Sequence, residues 1–255
     1  MTPKETNSQN VWFGVAMFLL GLIAGAVLAF TSGSVQIGRD SIGSAPSAPT
    51  APSGQQPQEP QASVTDRMVA FADQMGLDKG EFETCIADAN GEMKKKIDQQ
   101  TAEGQAAGVS GTPGNILFDM RSKNARVVSG AQPIANFEKQ IDAMLADPNA
   151  KVTDQSAVAA GKVVPVDLEN DYILGDRGAK IAIIEYTDYQ CPFCHAVHPT
   201  HQQLVKKYDG KVMWVMRHFP LSFHPEAMPL AIGAECAGKL KGNDAFWQFT
   251  DEFMK

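Results

Sequence analysis

The spacing of apolar residues changes several times along this chain, and each change marks an element. From Val11 to Phe30 the run VWFGVAMFLLGLIAGAVLAF contains no charged residue. Its length is what a helix needs to cross the hydrocarbon core of a bilayer, so residues 11–30 are expected to form one transmembrane anchor. A cleaved signal peptide would use the small residues Val27 and Ala29, but its apolar stretch is normally only about 7–15 residues long. Gly21 and Gly25 make a GxxxG pair, a pattern that membrane composition produces as readily as helix pairing does. Residues 31–64 then read TSGSVQIGRDSIGSAPSAPTAPSGQQPQEPQASV. With so few large apolar residues they cannot offset the entropy of ordering, and a flexible linker is expected.

Helical spacing returns at Thr65. Met68, Val69, Phe71, Ala72 and Met75 share a face, and Gly76 closes the run as a C′ glycine. Asp78 with Glu81 has the pattern of a capping box for a helix carrying Phe82, Cys85 and Ile86. A polar helix is expected over about Glu92 to Ala107, ending at Gly108. The period then shortens. NILFDM and ARVVSG are β-type runs separated by Arg121 to Asn124, a hairpin signal, and PIANFEKQIDAML is a helix that opens on proline. Residues 148–179 read as a connector in which VVPVDL and DYILGD are partly apolar islands. IAIIEY is a buried strand, PFCHAVHPTHQQLVKKY a helix and KVMWVMRHF a second strand. From Pro225 to Lys255 the chain is expected to be helical, with Phe246, Trp247, Phe249 and Phe253 in an apolar cluster. No internal repeat is visible.

Charge narrows the function. With 22 Lys+Arg against 29 Asp+Glu the net charge is -7, which removes the electrostatic footprint of a nucleic-acid binder. Lys4 and the terminal amine precede the apolar run and Arg39 is the first positive residue after it. That balance places residues 1–10 in the cytoplasm and everything after residue 31 outside. Four cysteines in 255 residues are too sparse for a disulfide framework, so each is expected to have its own task.

Two of the four lie in CPFC, where the strand IAIIEY hands over to a helix. Pro192 suits the first helical position because its missing N–H would be unpaired there, which leaves Cys191 at the helix N-terminus. Unpaired amides and the helix dipole stabilise a thiolate at that position. Cys191 is therefore the expected exposed nucleophile, and Cys194, on the same helical face, the resolving thiol. His195 is placed to tune the adjacent thiolate, while His198 and His201 read as surface or packing residues. Two other chemistries share the pattern. C-x-x-C-H is also the attachment signature of c-type haem, though an upstream strand is not part of it and the chain singles out no distal ligand. A zinc site would need a second pair, which His198 and His201 supply only irregularly.

EYTDYQCPFC, RHFPLSFHPEAMPLAIGAECAG and FWQFTDEF resemble the amino-terminal half of a DsbA-like thiol-disulfide oxidoreductase of the thioredoxin superfamily. GVSGTPGNILFD and VVSGAQPIANFEKQID resemble the carboxyl-terminal half of the same family. Here the order of the halves is inverted. The resemblance implies an α/β fold, thioredoxin-like with a helical insert and circularly permuted, occupying residues 65–255 behind the anchor. Within it, 65–147 would be the family's carboxyl-terminal half, 148–179 the connector and 180–255 the amino-terminal half. It also implies that Thr112-Pro113 is the loop whose cis-proline faces the active-site thiols, with Gly111 and Gly114 permitting its turn. An ordinary trans turn is the alternative. Glu185, six residues before Cys191, matches the family's buried acid; desolvation would raise its pKa and let it exchange a proton with Cys194. Pro199 matches the proline that kinks the active-site helix. Members with a second, non-catalytic disulfide in the insert imply a Cys85–Cys236 bond, against the alternative of two buried free thiols.

Two architectures fit the inverted order. Residues 148–179 can extend to about 100 Å at about 3.3 Å each. A domain of this size is only about 40 Å across. One chain can therefore close a permuted domain, and closure within a chain has the higher effective concentration; a swapped homodimer is the other solution. The expected protein is a membrane-anchored, extracytoplasmic oxidoreductase that needs no cofactor. It would exchange disulfides with protein thiols of secreted or envelope proteins and with a membrane redox partner. A non-catalytic peptide-binding module is the alternative from a different class.

Overall fold

The computed structural model describes residues 62–149, 158 and 161–255. The expected anchor at 11–30 and nearly all of the expected linker at 31–64 lie outside these residues. Among the described residues no helix is long and apolar enough to cross a membrane.

The chain runs through α1 (Val64–Gln74), α2 (Lys79–Ile86), α3 (Glu92–Ala106), β1 (Gly114–Asp119), β2 (Ala125–Ser129) and α4 (Ile134–Ala146). It continues through β3 (Ile173–Gly175), β4 (Ile181–Thr187), α5 (Pro192–Lys207), β5 (Val212–His218), α6 (Ala227–Lys241) and α7 (Asn243–Phe253). Ser63 caps α1 in a capping box with Asp66, so the helix begins one residue before the expected start of folded sequence. Pro133 stands at the N-cap of α4 rather than inside its first turn. The helical stretch expected from Pro225 onward is broken at Gly242, which has a positive φ of 85° and separates α6 from α7.

All five strands form one mixed sheet in the order β2-β1-β4-β5-β3. β4 and β5 are parallel, and the other pairings are antiparallel. Strands β1, β4 and β5 are buried throughout, as expected of a sheet covered on both faces. Alternation then assigns side chains to faces. Ile181 and Ile183 of β4 with Val212, Trp214 and Met216 of β5 join the core that also holds Cys191, Cys194 and the helix residues Phe137, Phe246 and Phe249. Ala182, Ile184, Tyr186, Met213 and Val215 face a second core with Ala107, Val109 and Ile173. The same alternation puts Glu185 in line with Ile181 and Ile183, on the α5 side of the sheet.

The stretch expected to be a plain connector is only partly one. Its end supplies β3, which covers the edge of β5. Arg217, buried on β5, holds the segment through Asp171 at 2.8 Å and the carbonyls of Val164 and Pro165, each at 2.9 Å. Tyr172 stacks on Phe246 with ring centroids 4.0 Å apart. A strand of three residues is too short to show a period, which is why DYILGD reads only as an island.

The two halves of the chain meet repeatedly. β1 of the first pairs with β4 of the second along the whole strand. Lys96 of α3 reaches the buried Glu235 of α6 at 2.7 Å, and Glu235 also pairs with His218 of β5 at 3.2 Å. Cys85 of α2 and Cys236 of α6 are joined by a disulfide that closes a sequence separation of 151 residues.

Candidate active site

The site forms where β4 ends. Asp188 turns the chain: its backbone carbonyl accepts from the Cys191 amide at 3.1 Å, and its side chain accepts from the amides of Gln190 and Leu221, each at 2.7 Å. Its Oδ2 is also 2.8 Å from His224 Nδ1. This one buried carboxylate thereby ties the loop that carries Phe223 to the start of α5. Pro192 occupies the first turn of α5 and Cys191 the N-cap, in an extended conformation.

The Cys191 thiol donates to the Thr112 carbonyl oxygen across 3.5 Å. Thr112-Pro113 is a cis peptide bond, so the loop from the first half of the chain lies against the thiol of the second. The glycine after it is needed for space rather than for its dihedral freedom. A Cβ at Gly114 would stand 2.3 Å from Val109 Cγ1, and neither Gly111 nor Gly114 has a positive φ. The two thiols are free and differ in exposure, Cys191 at 4 % and Cys194 at 0 %. Cys191 is thus the more accessible but not the open nucleophile that helix position alone suggests, because the Thr112-Pro113 loop covers it. Phe193 between them is 64 % exposed, and Phe223 is 72 % exposed.

Burial pushes the Cys194 thiol well above the ordinary cysteine range, and the negative charge of Glu185 pushes it further. Glu185 is completely buried, with Oε2 3.0 Å from His201 Nδ1. His201 is therefore a buried residue packed between Phe137 and Trp214, as one of the two expected readings had it, and it also contacts Glu185. The signal for it was its position seven residues after Cys194, two turns along the same face. His198 is also buried, with Nε2 2.8 Å from Asp251 Oδ1 on α7. His195 is turned elsewhere. Its Nε2 meets the Tyr189 carbonyl at 2.7 Å and its Nδ1 the Lys255 carbonyl at 3.0 Å, so neither ring nitrogen hydrogen-bonds the Cys191 thiol.

These positions weigh on the other readings of CPFCH. Haem attachment needs two thiols at the surface and a free imidazole, whereas both thiols are covered and His195 is engaged. Among the described residues no group of three or more His, Cys, Asp or Glu side chains is arranged to hold a metal ion. Beside the start of α5 lies a cleft of about 540 Å³, lined by residues that include Gln190, His195, Arg67, Phe71 and Glu226.

A family model described as DSBA-like thioredoxin domain matches residues 56–142, and one described as Thioredoxin matches residues 167–255. This chain belongs to the DsbA-like proteins of the thioredoxin superfamily. The first match ends before the connector and takes in the Thr112-Pro113 loop, and the second begins within the connector at residue 167 and takes in CPFC. The DsbA-like chain is also similar to the Na(+)/H(+) antiporter NhaA 3 of Salinispora tropica, 38% identical over 90 residues. That match takes in 35% of this chain and 13% of the antiporter. The Na(+)/H(+) antiporter NhaA 1 of Mycolicibacterium gilvum is 36% identical over 91 residues, 35% of this chain and 14% of the antiporter. The matches thus span only 13% and 14% of the length of these curated relatives. Among solved structures, Pseudomonas aeruginosa DsbA2 is 35% identical over 34% of this chain and 47% of its own, with a TM-score of 0.29.

Proposed function

We propose that this DsbA-like chain is a thiol-disulfide oxidoreductase, anchored in a membrane through residues 11–30, that exchanges disulfides with secreted or envelope proteins on the extracytoplasmic side. The observation that carries the reading is the Cys191 thiol at the N-cap of α5, 3.5 Å from the carbonyl of the cis Thr112-Pro113 loop. A loop of this kind offers backbone groups to an extended substrate segment beside the thiol that reacts with it. In the reducing direction a substrate disulfide is attacked by Cys191, which forms a mixed disulfide and releases one substrate sulfur as thiolate. Cys194 then gives up its proton toward Glu185 and attacks Cys191 Sγ. The Cys191–Cys194 bond forms, the second substrate sulfur leaves, and two electrons have passed to the substrate. Oxidation of substrate thiols is the same sequence reversed, with a membrane redox partner to restore the disulfide.

Cys191→Ser tests this directly. The parent is expected to catalyse insulin reduction or oxidation of a dithiol peptide, and the variant to lose the activity. A parent without activity favours the second reading, a peptide-binding module that uses the Pro113 loop alone. Exposed Phe193 and Phe223 are compatible with both, because each would offer apolar contact to an unfolded segment.

A further inference from the structure

Close enough to Cys194 for its charge to act on the thiol, Glu185 forms a polar pair with His201, and both are fully buried. Only one contact joins them, His201 Nδ1 to Glu185 Oε2 at 3.0 Å. The remaining atoms of the pair, Glu185 Oε1 and His201 Nε2, have no hydrogen-bond partner among the described residues. Phe137 of α4 meets the imidazole edge-on at 5.2 Å, and Trp214 of β5 packs on it at 5.0 Å. The titratable groups that feel the Glu185 charge are Cys194 of α5 and Tyr189, whose hydroxyl is engaged with Thr250 at 2.8 Å, while His198, one turn before His201 on α5, is paired with Asp251 of α7. Asn115 lies across from Glu185 on β1, but its amide donates to the carbonyls of Val128 and Gly130. Among the described residues His201 Nδ1 is thus the one side-chain donor within hydrogen-bonding distance of the carboxylate.

The hydrogen-bond inventory orders the pair. An imidazolium, or a ring protonated on Nε2, would bury an N–H against aromatic rings with nothing to accept it, at the full desolvation cost of that group. A proton on Nδ1 instead gives Oε2 a donor and leaves Oε1 as the carboxylate oxygen without a partner. We propose that His201 is a positioning residue for the resolving step: by donating from Nδ1 to Oε2 it orients the Glu185 carboxyl so that Oε1 exchanges a proton with Cys194. The proposal rests on the thiol-exchange reading above. When the mixed disulfide at Cys191 is resolved, the Cys194 proton passes to Oε1, directly or through one water. Cys194 Sγ bonds to Cys191 Sγ, and the substrate sulfur leaves with the electron pair. In the oxidising direction Oε1 returns that proton to Cys194 as it leaves Cys191. His201 keeps its own proton throughout, so the acid gains a fixed donor without a cation being buried next to the thiolate.

The test is the reaction of the full chain, with Cys191 and Cys194 reduced, with 5,5′-dithiobis(2-nitrobenzoate). Attack by Cys191 releases one thionitrobenzoate, and resolution by Cys194 releases the second, so the two steps are separate absorbance phases. His201→Leu is expected to slow the second phase by at least about tenfold at neutral pH and to make its rate climb more steeply with pH, the defect falling on that phase and not on the first. His201→Asn, whose amide can donate from nearly the position of Nδ1, is expected to bring the second phase back to within about threefold of the parent. A His201→Leu second phase with the parent's rate and pH profile overturns the proposal, as does a His201→Asn defect equal to that of His201→Leu. Should His201→Leu fail to fold, nitrogen-15 spectra of the parent's imidazole decide: a proton on Nδ1 is expected, and one on Nε2 alone overturns the proposal. A parent that releases only the first equivalent fails the exchange reading and the proposal together, whereas a parent that releases both can lose the proposal alone.

Discussion

Two cysteines three residues apart occupy different environments because the helix turns between them. Cys191 caps α5 under the Thr112 carbonyl, where its thiol is covered but not fully closed off. Cys194 is one turn inside, closed off from solvent and close enough to Glu185 to feel its charge. Its thiol is pushed up by burial first and by the Glu185 charge second, so only a small fraction is thiolate near neutrality. Raising the pH deprotonates it, and resolution is expected to accelerate by about tenfold per pH unit wherever no internal base takes the proton. Glu185→Gln removes that base while burial, the larger cause, remains. The expected result is resolution of a Cys191 mixed disulfide slowed by about a hundredfold at neutral pH, with the deficit shrinking as pH rises. Stopped-flow rates across the pH range check both, and a Glu185→Gln variant that resolves at the parent's rate would remove Glu185 from the chemistry.

Elements differ in how much of themselves the sequence displays. α5 is legible because Pro192 marks its first turn and the apolar positions of its inner face repeat with helical period. β4 and β5 are legible as dense apolar runs of strand length, since both faces of the sheet are covered. β3 escapes because three residues carry no period, and its place is decided by the open edge of β5 and by Arg217, which takes Asp171 and two carbonyls of that segment. The bond between α2 and α6 belongs to this scale as well. Cross-linking positions 151 residues apart restricts the unfolded chain strongly, and replacing both Cys85 and Cys236 with alanine is expected to cost about 3–5 kcal/mol. Urea denaturation measures the loss. Thiol exchange by the folded variant should persist, since both residues lie on α2 and α6, outside the CPFC segment and the Thr112-Pro113 loop.

For the whole molecule the governing fact is that one sheet takes strands from both halves of the chain, with β1 of the first half hydrogen-bonded along β4 of the second. The Lys96–Glu235–His218 cluster and the disulfide repeat the connection on the helical side. If the inverted order is a permutation closed within one chain, the protein freed of residues 1–61 is expected to be monomeric by light scattering and fully active in insulin reduction. Activity confined to a dimer that loses function on dilution would instead mean that two chains exchange halves.

The family resemblance implied the pairing of a CPFC half with a Thr112-Pro113 half, whereas the chain displays its local features directly: the apolar run at 11–30, the helices and dense strands, and Cys191 at a helix start. These depend on periods and on neighbours within a few residues, which composition and spacing carry directly. Tertiary structure alone decided that Cys191 lies covered beneath the Thr112 carbonyl, that His195 turns to backbone carbonyls, and that His201 meets Glu185. Each of those contacts joins residues on different elements, or depends on which face a neighbour leaves open. A buried polar atom takes whatever partner packing brings within reach, and that choice is made only once the sheet and α5 have closed on each other.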